Sequence, residues 1–374
     1  MISRYENQVV AGMWSEKAQL SRWYTVERTW LRALFGIDIP ELTEDGLDAL
    51  GRLCRDEEKL LNHDVAAFVK VLEAITGVSR VHFGLTSSDV VDTALMLGMK
   101  RSIDHLVEML WVLRTQVSES FENCRKSGVT VIPGRTHGVI AEPIEAKALY
   151  QRWSYELDHV SGRLREVKFY GKFSGSVGLH QGLPEVAGRV MQAEHDALGT
   201  LGLQKCLFPT QVIPRELFLD TFVALLGVSS TLTRLATQLR LFASHGELRR
   251  VSGPGERGSS SMPHKTNPIG FEKVCGMHRM VEAAMLTASQ NCLLWAERDI
   301  SHSSVERVII PDTLHLVAHQ VSTMIKELSL WEFDKSAIDS LSLDRYRTQA
   351  VMLRGVLAGE SREAAFVAAA STAA

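Results

Sequence analysis

Cysteine is scarce in this sequence, and what there is lies scattered. Cys54, Cys124, Cys206, Cys275 and Cys292 are odd in number and show no C-x-x-C spacing, which excludes a disulfide framework and a cysteine-based zinc site. A reducing cytoplasm is the expected compartment. Long hydrophobic runs are missing too: no stretch reaches about 18 uninterrupted apolar residues, and the opening MISRYENQ is polar, so neither a membrane span nor a secretory leader is expected. Charge of one sign is also lacking. With 41 Lys+Arg against 44 Asp+Glu and a formal charge of −3, the chain has no net basic character for nucleic acid or a membrane surface, so any anion site must be local. No internal repeat is present, and no segment keeps strand alternation for long.

What is present is apolar helical periodicity. At 374 residues and 45% hydrophobic composition the chain can bury a large core and hold two or three domains. Leu225, Val228, Leu232, Leu235, Leu239 and Phe242 alternate spacings of three and four, drawing one seam along a long helix. TSSD at 86–89 reads as a capping box, Thr86 the cap and Asp89 three residues on, followed by Leu95, Met99, Leu106, Met109 and Leu113. Such rods pack side by side, and stripes too extensive for one chain to cover are expected to be buried between subunits. The reading is an all-α protein with an N-terminal helical domain at 1–85, a central long-helix bundle at 86–330 and a short C-terminal helical domain at 331–374. The Ala-rich end, SREAAFVAAASTAA, is expected to fray.

One segment resists any packing role. GSSSMPHKTNP, Gly258 to Pro268, joins a small polar run to a lysine and an amide with no apolar periodicity, which predicts a solvent-reachable loop. Pro268 suits the first turn of a following helix, whose free N–H groups favour an anion beside Lys265 and Asn267. Elsewhere, His137 sits between Thr136 and Gly138 in GRTHG, an exposed turn that presents an imidazole able to hold and release a proton near neutral pH. Arg298 and Arg307 lie nine residues apart with Ser303 between them, and two forked donors with a hydroxyl can converge on one tetrahedral anion.

These segments, with HDV at 63–65, HFGLTSSDVVDTAL at 82–95, GRTHGVIAEP at 134–143 and ERDISHSSVERVIIPD at 297–312, resemble in content and order the fumarase/aspartase superfamily of lyases. ERDISHSSVER points to the adenylosuccinate lyase branch. The resemblance implies that superfamily's all-α fold and elimination across a C–N bond to release fumarate, with no metal or organic cofactor. It implies Ser259 as the proton-abstracting base, although a serine acts so only where its alkoxide is stabilised, and His137 as the general acid with Glu272 against it. Lys265 and Asn267 would hold the carboxylate that gathers charge, and His63 joins the catalytic set. Arg4, Tyr5, Arg298, Ser303 and Arg307 are implied to bind the substrate phosphate, and Asp64, Thr86, Ser87, Thr136 and Gln211 the rest of an N-succinyl nucleotide. A homotetramer sharing active sites between subunits is implied as well. Departures from the branch are Ile140, the pair Ile144 and Glu145, Lys273 and a shortened C-terminal domain. They bear on substrate identity more than on reaction type, and leave open a superfamily lyase acting on a different N-succinyl compound.

Overall fold

Caps and apolar stripes fix the helices. The computed structural model describes residues 1–180, 187–251, 261, 262 and 264–371, and among them thirteen α-helices carry most of the chain. They are α1 (Gln8–Trp14), α2 (Glu16–Phe35), α3 (Glu44–Leu61), α4 (Asp64–Thr76), α5 (Ser87–Lys126), α6 (Ala146–Glu166), α7 (Ala187–Leu201), α8 (Glu216–Ser244), α9 (Ile269–Gln290), α10 (Ser301–Leu330), α11 (Lys335–Ser340), α12 (Thr348–Leu357) and α13 (Arg362–Ser371). The chain is all-α in class, as its periodicity predicts. Three two-stranded pieces interrupt the helices: β1 (Val131–Thr136) against β2 (Val139–Glu145), β3 (Tyr170–Gly171) beside β4 (Gln204–Lys205), and β5 (Leu248–Arg250) against β6 (Trp331–Phe333). The sequence reading placed no strand in these segments, which are too short or too irregular to show the two-residue period.

The chain condenses into two compact units, each built from three separate stretches. The first comprises Met1–Glu108, Gly162–Ser229 and Arg279–His319, and the second Met109–Ser161, Ser230–His278 and Gln320–Ala374. In the first, α2 packs against α3 and α7, and α3 against α4. Trp30 stacks on Phe173 at 4.9 Å and Trp23 meets Phe68 edge-on at 5.5 Å, so large flat side chains fill the space between those helices. In the second, Phe242 and Tyr150 both meet Phe333 edge-on, at 5.1 and 6.5 Å.

Two stripes deserve comparison with their sequence pattern. Every residue of the α8 seam, Leu225 to Phe242, is buried. By length and composition this helix could cross a membrane, but its buried stripe is that of a core helix. In α5 the buried row runs Met96, Met99, Ile103, Leu106, Leu110, Leu113 and Val117, whereas Leu95 and Met109 are only half-buried. The expected stripe is therefore displaced by one residue at two points, a shift that apolar neighbours at 95–96 and 109–110 make invisible in sequence.

Asp89 ties the start of α5 to a distant loop. Its carboxylate accepts from Thr86 N at 2.8 Å, which is one arm of the expected capping box, and also from Ser174 N at 3.0 Å and Gly175 N at 3.1 Å. Lys172 supplies the counter-charge, and both side chains are fully buried. Paired and hydrogen-bonded on all sides, this buried carboxylate holds residues 172–175 against the helix start.

Candidate active site

Three helix starts meet in the first unit around a cleft of about 500 Å³. His63 and Asp64 come from the start of α4, Ser87 from the start of α5, and Arg298, Ser303 and Arg307 from the start of α10 and the loop before it. Each helix directs unpaired N–H groups and a partial positive charge toward its first turn, so the local electrostatics favour an anion despite the chain's balanced total. The His63 ring caps α4, its Nδ1 accepting from Ala66 N at 3.3 Å. Arg307 donates from Nη2 to Asp64 Oδ2 at 2.8 Å, which joins residues 243 positions apart.

Gln211 enters the same group through Arg298. Its Oε1 accepts from Arg298 Nη1 at 2.9 Å while its Nε2 donates to Ser176 O at 2.9 Å, so the amide fixes the guanidinium. Thr86 stands beside Ser87, its N–H committed to Asp89. Arg4 and Tyr5 also belong to the first unit but do not line this cleft. Arg4 is exposed, and the Tyr5 ring packs edge-on against His319 at 5.3 Å.

Thr136, His137, Lys265, Asn267 and Glu272 belong to the second unit. Thr136 and His137 occupy the tip of the β1–β2 hairpin, where His137 (φ 54°) and Gly138 (φ 83°) form a two-residue turn with both central residues left-handed. That geometry matches the right-handed twist of the flanking strands and leaves the imidazole exposed. Below the tip, Arg135 anchors the hairpin by a buried ion pair, its Nη1 donating to Glu247 Oε2 at 2.7 Å. Glu272 lies in the first turn of α9, where Arg240 Nη2 stands 4.0 Å from its Oε1, and no ion pair or hydrogen bond joins it to His137 among the described residues of one chain. Lys265 is exposed and Asn267 half-buried just before α9, and Pro268, one residue ahead of the helix, accepts Glu272 N–H at 3.1 Å. Ser259 lies outside the described residues.

Sequence reading missed the most strongly perturbed charges of the cleft. Arg215, 2% exposed, faces Asp92 through two hydrogen bonds of 2.8 and 2.9 Å and Glu306 through two of 3.0 Å. Burial pushes the Glu306 carboxyl up to about 7, with Arg215 opposing and Asp92 adding to the rise. Burial acts on Asp92 in the same sense, but the Arg215 charge and hydrogen bonds outweigh it and hold that carboxyl below its usual value. The His302 imidazole, 4% exposed, is driven down to about 4 by burial and then by the Arg215 charge, while the carbonyl of Asp299 lies 2.7 Å from its Nδ1. A signal for two of these was available. His302 and Glu306 are spaced by four, as are Ser303 and Arg307, so one row of α10 turns inward beside the row that lines the opening. Arg215, in VIPREL, and Asp92, inside HFGLTSSDVVDTAL, carried no such sign. Among the described residues no three His, Cys, Asp or Glu side chains are arranged to hold a metal.

A family model described as lyase matches residues 53–282. The adenylosuccinate lyase of Aquifex aeolicus (strain VF5) is 35% identical over 336 residues, covering 84% of this chain and 73% of that protein. The adenylosuccinate lyase of Bacillus subtilis (strain 168) is 32% identical over 384 residues, covering 98% and 86%. Among solved structures, the fumarate lyase from Mesorhizobium sp. BNC1 superposes with a TM-score of 0.80 at 20% identity, over 99% of this chain and 86% of that one. The 3-carboxy-cis,cis-muconate lactonizing enzyme from Pseudomonas putida gives 0.80 at 22% identity, over 98% and 85%. The structural likenesses carry the fold and the sequence relatives carry the family: this chain belongs to the lyase family of the fumarase/aspartase superfamily and is a carbon–nitrogen lyase.

Proposed function

We propose that the enzyme splits the C–N bond of adenylosuccinate, and of the succinylated imidazole-carboxamide nucleotide of purine synthesis, releasing fumarate and the free amine. The observation that carries this reading is the convergence of His63, Asp64, Ser87, Arg298, Ser303 and Arg307 from chain-distant segments on one cleft of about 500 Å³ rich in arginine and helix starts, which suits a phosphorylated, carboxylated ligand. The two curated relatives reported above bear the same name.

In this mechanism Ser259 removes the proton from the carbon α to a carboxylate. The electron pair forms the new C=C bond as the C–N bond breaks, and His137 delivers a proton to the departing nitrogen. Lys265 and Asn267 stabilise the carboxylate that gathers the second negative charge, and Glu272 orients and stabilises the imidazolium. Arg298, Ser303 and Arg307, with Arg4 and Tyr5, hold the phosphate, while Asp64, Thr86, Ser87, Thr136 and Gln211 position the rest of the nucleotide, with His63 at the reacting end.

We further assign the enzyme to a cytoplasmic homotetramer in which each active site draws residues from three subunits. Exposed Trp111, Tyr155, Leu286 and Trp295 support burial against other copies, and five free cysteines suit a reducing compartment. A mass of four chains by light scattering tests the assembly. Incubating purified protein with adenylosuccinate and following fumarate release in the ultraviolet tests the reaction. A second reading, a lyase for a different N-succinyl compound, is favoured at one place: Ile140, Ile144 and Glu145 alter the β2 arm beside His137. Absence of fumarate from adenylosuccinate, with turnover of another N-succinyl compound, selects it.

A further inference from the structure

Arg22 stands in the cleft wall of the first unit with its charge uncompensated. It is 4% exposed on α2, yet among the described residues its one hydrogen bond runs from Nη1 to the carbonyl of Met13, and its Nε is buried without a partner. The guanidinium lies over the Trp14 ring, 5.1 Å from its centre, and Trp14 is itself fixed by donation from Nε1 to Ser102 Oγ at 2.9 Å. Across from it α5 carries Gly98, where an added Cβ comes within 3.1 Å of the Arg22 Cζ and 3.2 Å of its Nε. The aromatic face and the missing side chain together make a fitted slot for a flat cation.

Three of the four acids that line the cleft are already committed. Asp92 and Glu306 hold Arg215, and Asp64 holds Arg307. Glu58 sits exposed in the lining without an ion pair among the described residues, and Arg101 adds a like charge. Burial, and after it Arg101, lowers the Arg22 pKa to about 10, so the group still carries its charge at neutral pH. Holding a cation out of water with neither a counter-ion nor a full set of acceptors costs free energy, and a forked donor of this shape is matched by an oxyanion.

We propose that Arg22 is a ligand-binding residue of the cleft, donating its unused Nη N–H groups to an oxyanion of the bound molecule. Phosphate monoester and carboxylate share that chemistry. Arg298 and Ser303, assigned above to the phosphate, line the same cleft, which favours the phosphate. The assignment goes beyond the substrate reading and holds for any anionic ligand of this cleft.

Calorimetric titration of the full-length protein with inorganic phosphate and, separately, with succinate provides the test. Wild type is expected to bind phosphate, with Kd rising about tenfold or more in Arg22→Met and less in Arg22→Lys, which keeps the charge and loses the fork. A loss confined to the succinate arm supports the same residue role and assigns the carboxylate. Gly98→Ala leaves Arg22 in place and displaces its guanidinium, so it weakens the anion without removing the charge, and serves should Arg22→Met fail to fold. Thermal melting of the unliganded protein separates a structural role: Arg22→Met is expected to melt no lower than wild type. Unchanged anion affinity in both Arg22→Met and Gly98→Ala, a lowered melting point with affinity intact, or a wild type that binds neither anion overturns the proposal. Fumarate release from adenylosuccinate is read separately, so failure of the substrate reading stays distinguishable.

Discussion

Arg215 and Asp92 meet in two parallel hydrogen bonds, Nη1 to Oδ2 at 2.8 Å and Nη2 to Oδ1 at 2.9 Å, with both side chains out of water. The remaining edge of the guanidinium is taken by Glu306, so one cation separates two buried carboxylates. Arg215→Met removes the cation and leaves like charges facing each other. It is expected to destabilise the fold by about 3–5 kcal/mol, more than Asp92→Asn, as read from urea midpoints.

Two members of this cluster titrate in opposition. Glu306 rises from the ordinary 4.5 to about 7 on folding, so the folded state binds the extra proton and its contribution to stability, full below 4.5, is lost as pH climbs through 7. His302 falls from 6.5 to about 4, so the unfolded state binds the extra proton and stability is lost as pH drops from 6.5 toward 4. The two slopes nearly cancel in the wild type. His302→Gln is expected to expose the first, with stability falling by up to about 3 kcal/mol between pH 4.5 and 7, and Glu306→Gln the second, with stability rising over pH 4 to 6.5, both by denaturant titration. Parallel curves for the two variants would falsify the assignment.

His137→Ala and Ser259→Ala are each expected to lower kcat by about 10²–10⁴ with KM little changed, since both groups act chiefly in the transition state. A substrate whose leaving group needs no protonation recovers the His137 variant alone. Equal loss with that substrate reassigns His137 to binding or folding.

Arg307→Lys keeps the charge and the reach but loses the fork that serves Asp64 and a phosphate together. One charge-assisted hydrogen bond is worth about 1.5–3 kcal/mol, so kcat/KM for adenylosuccinate should fall roughly ten- to hundredfold, while the dephosphorylated nucleoside, already poor, should lose little more. An equal penalty on both substrates removes the phosphate from this site.

Gly178 offers a test from outside the cleft. It adopts φ +77°, and a Cβ there meets the carbonyl oxygen of Pro209 at 2.1 Å and that of Thr210 at 2.5 Å. Both obstacles are backbone, so Gly178→Ala must move the strand of chain that carries Gln211, the residue holding Arg298. A loss of about 1–3 kcal/mol in stability, with a raised KM, is expected from melting and steady-state kinetics. A raised KM without destabilisation, or the reverse, separates the two effects.

The sequence by itself determined the all-α class and the buried face of α8: its seam is buried at every named position, and TSSD opens α5 with Thr86 and Asp89 in contact. It also singled out Arg298, Ser303 and Arg307 by their spacing, whereas His63, Asp64 and Ser87 were reached only through the resemblance to the lyase superfamily. Tertiary structure alone decided that these six share a cleft, and that Gln211 bridges Arg298 to Ser176. It alone showed Arg22, Asp92, Arg215 and Glu306 as buried charges, since burial depends on neighbours brought from far along the chain. The His137 turn was legible from its glycine, but its place at a hairpin tip came from strand pairing between residues 131 and 145, a long-range register that local propensity does not encode.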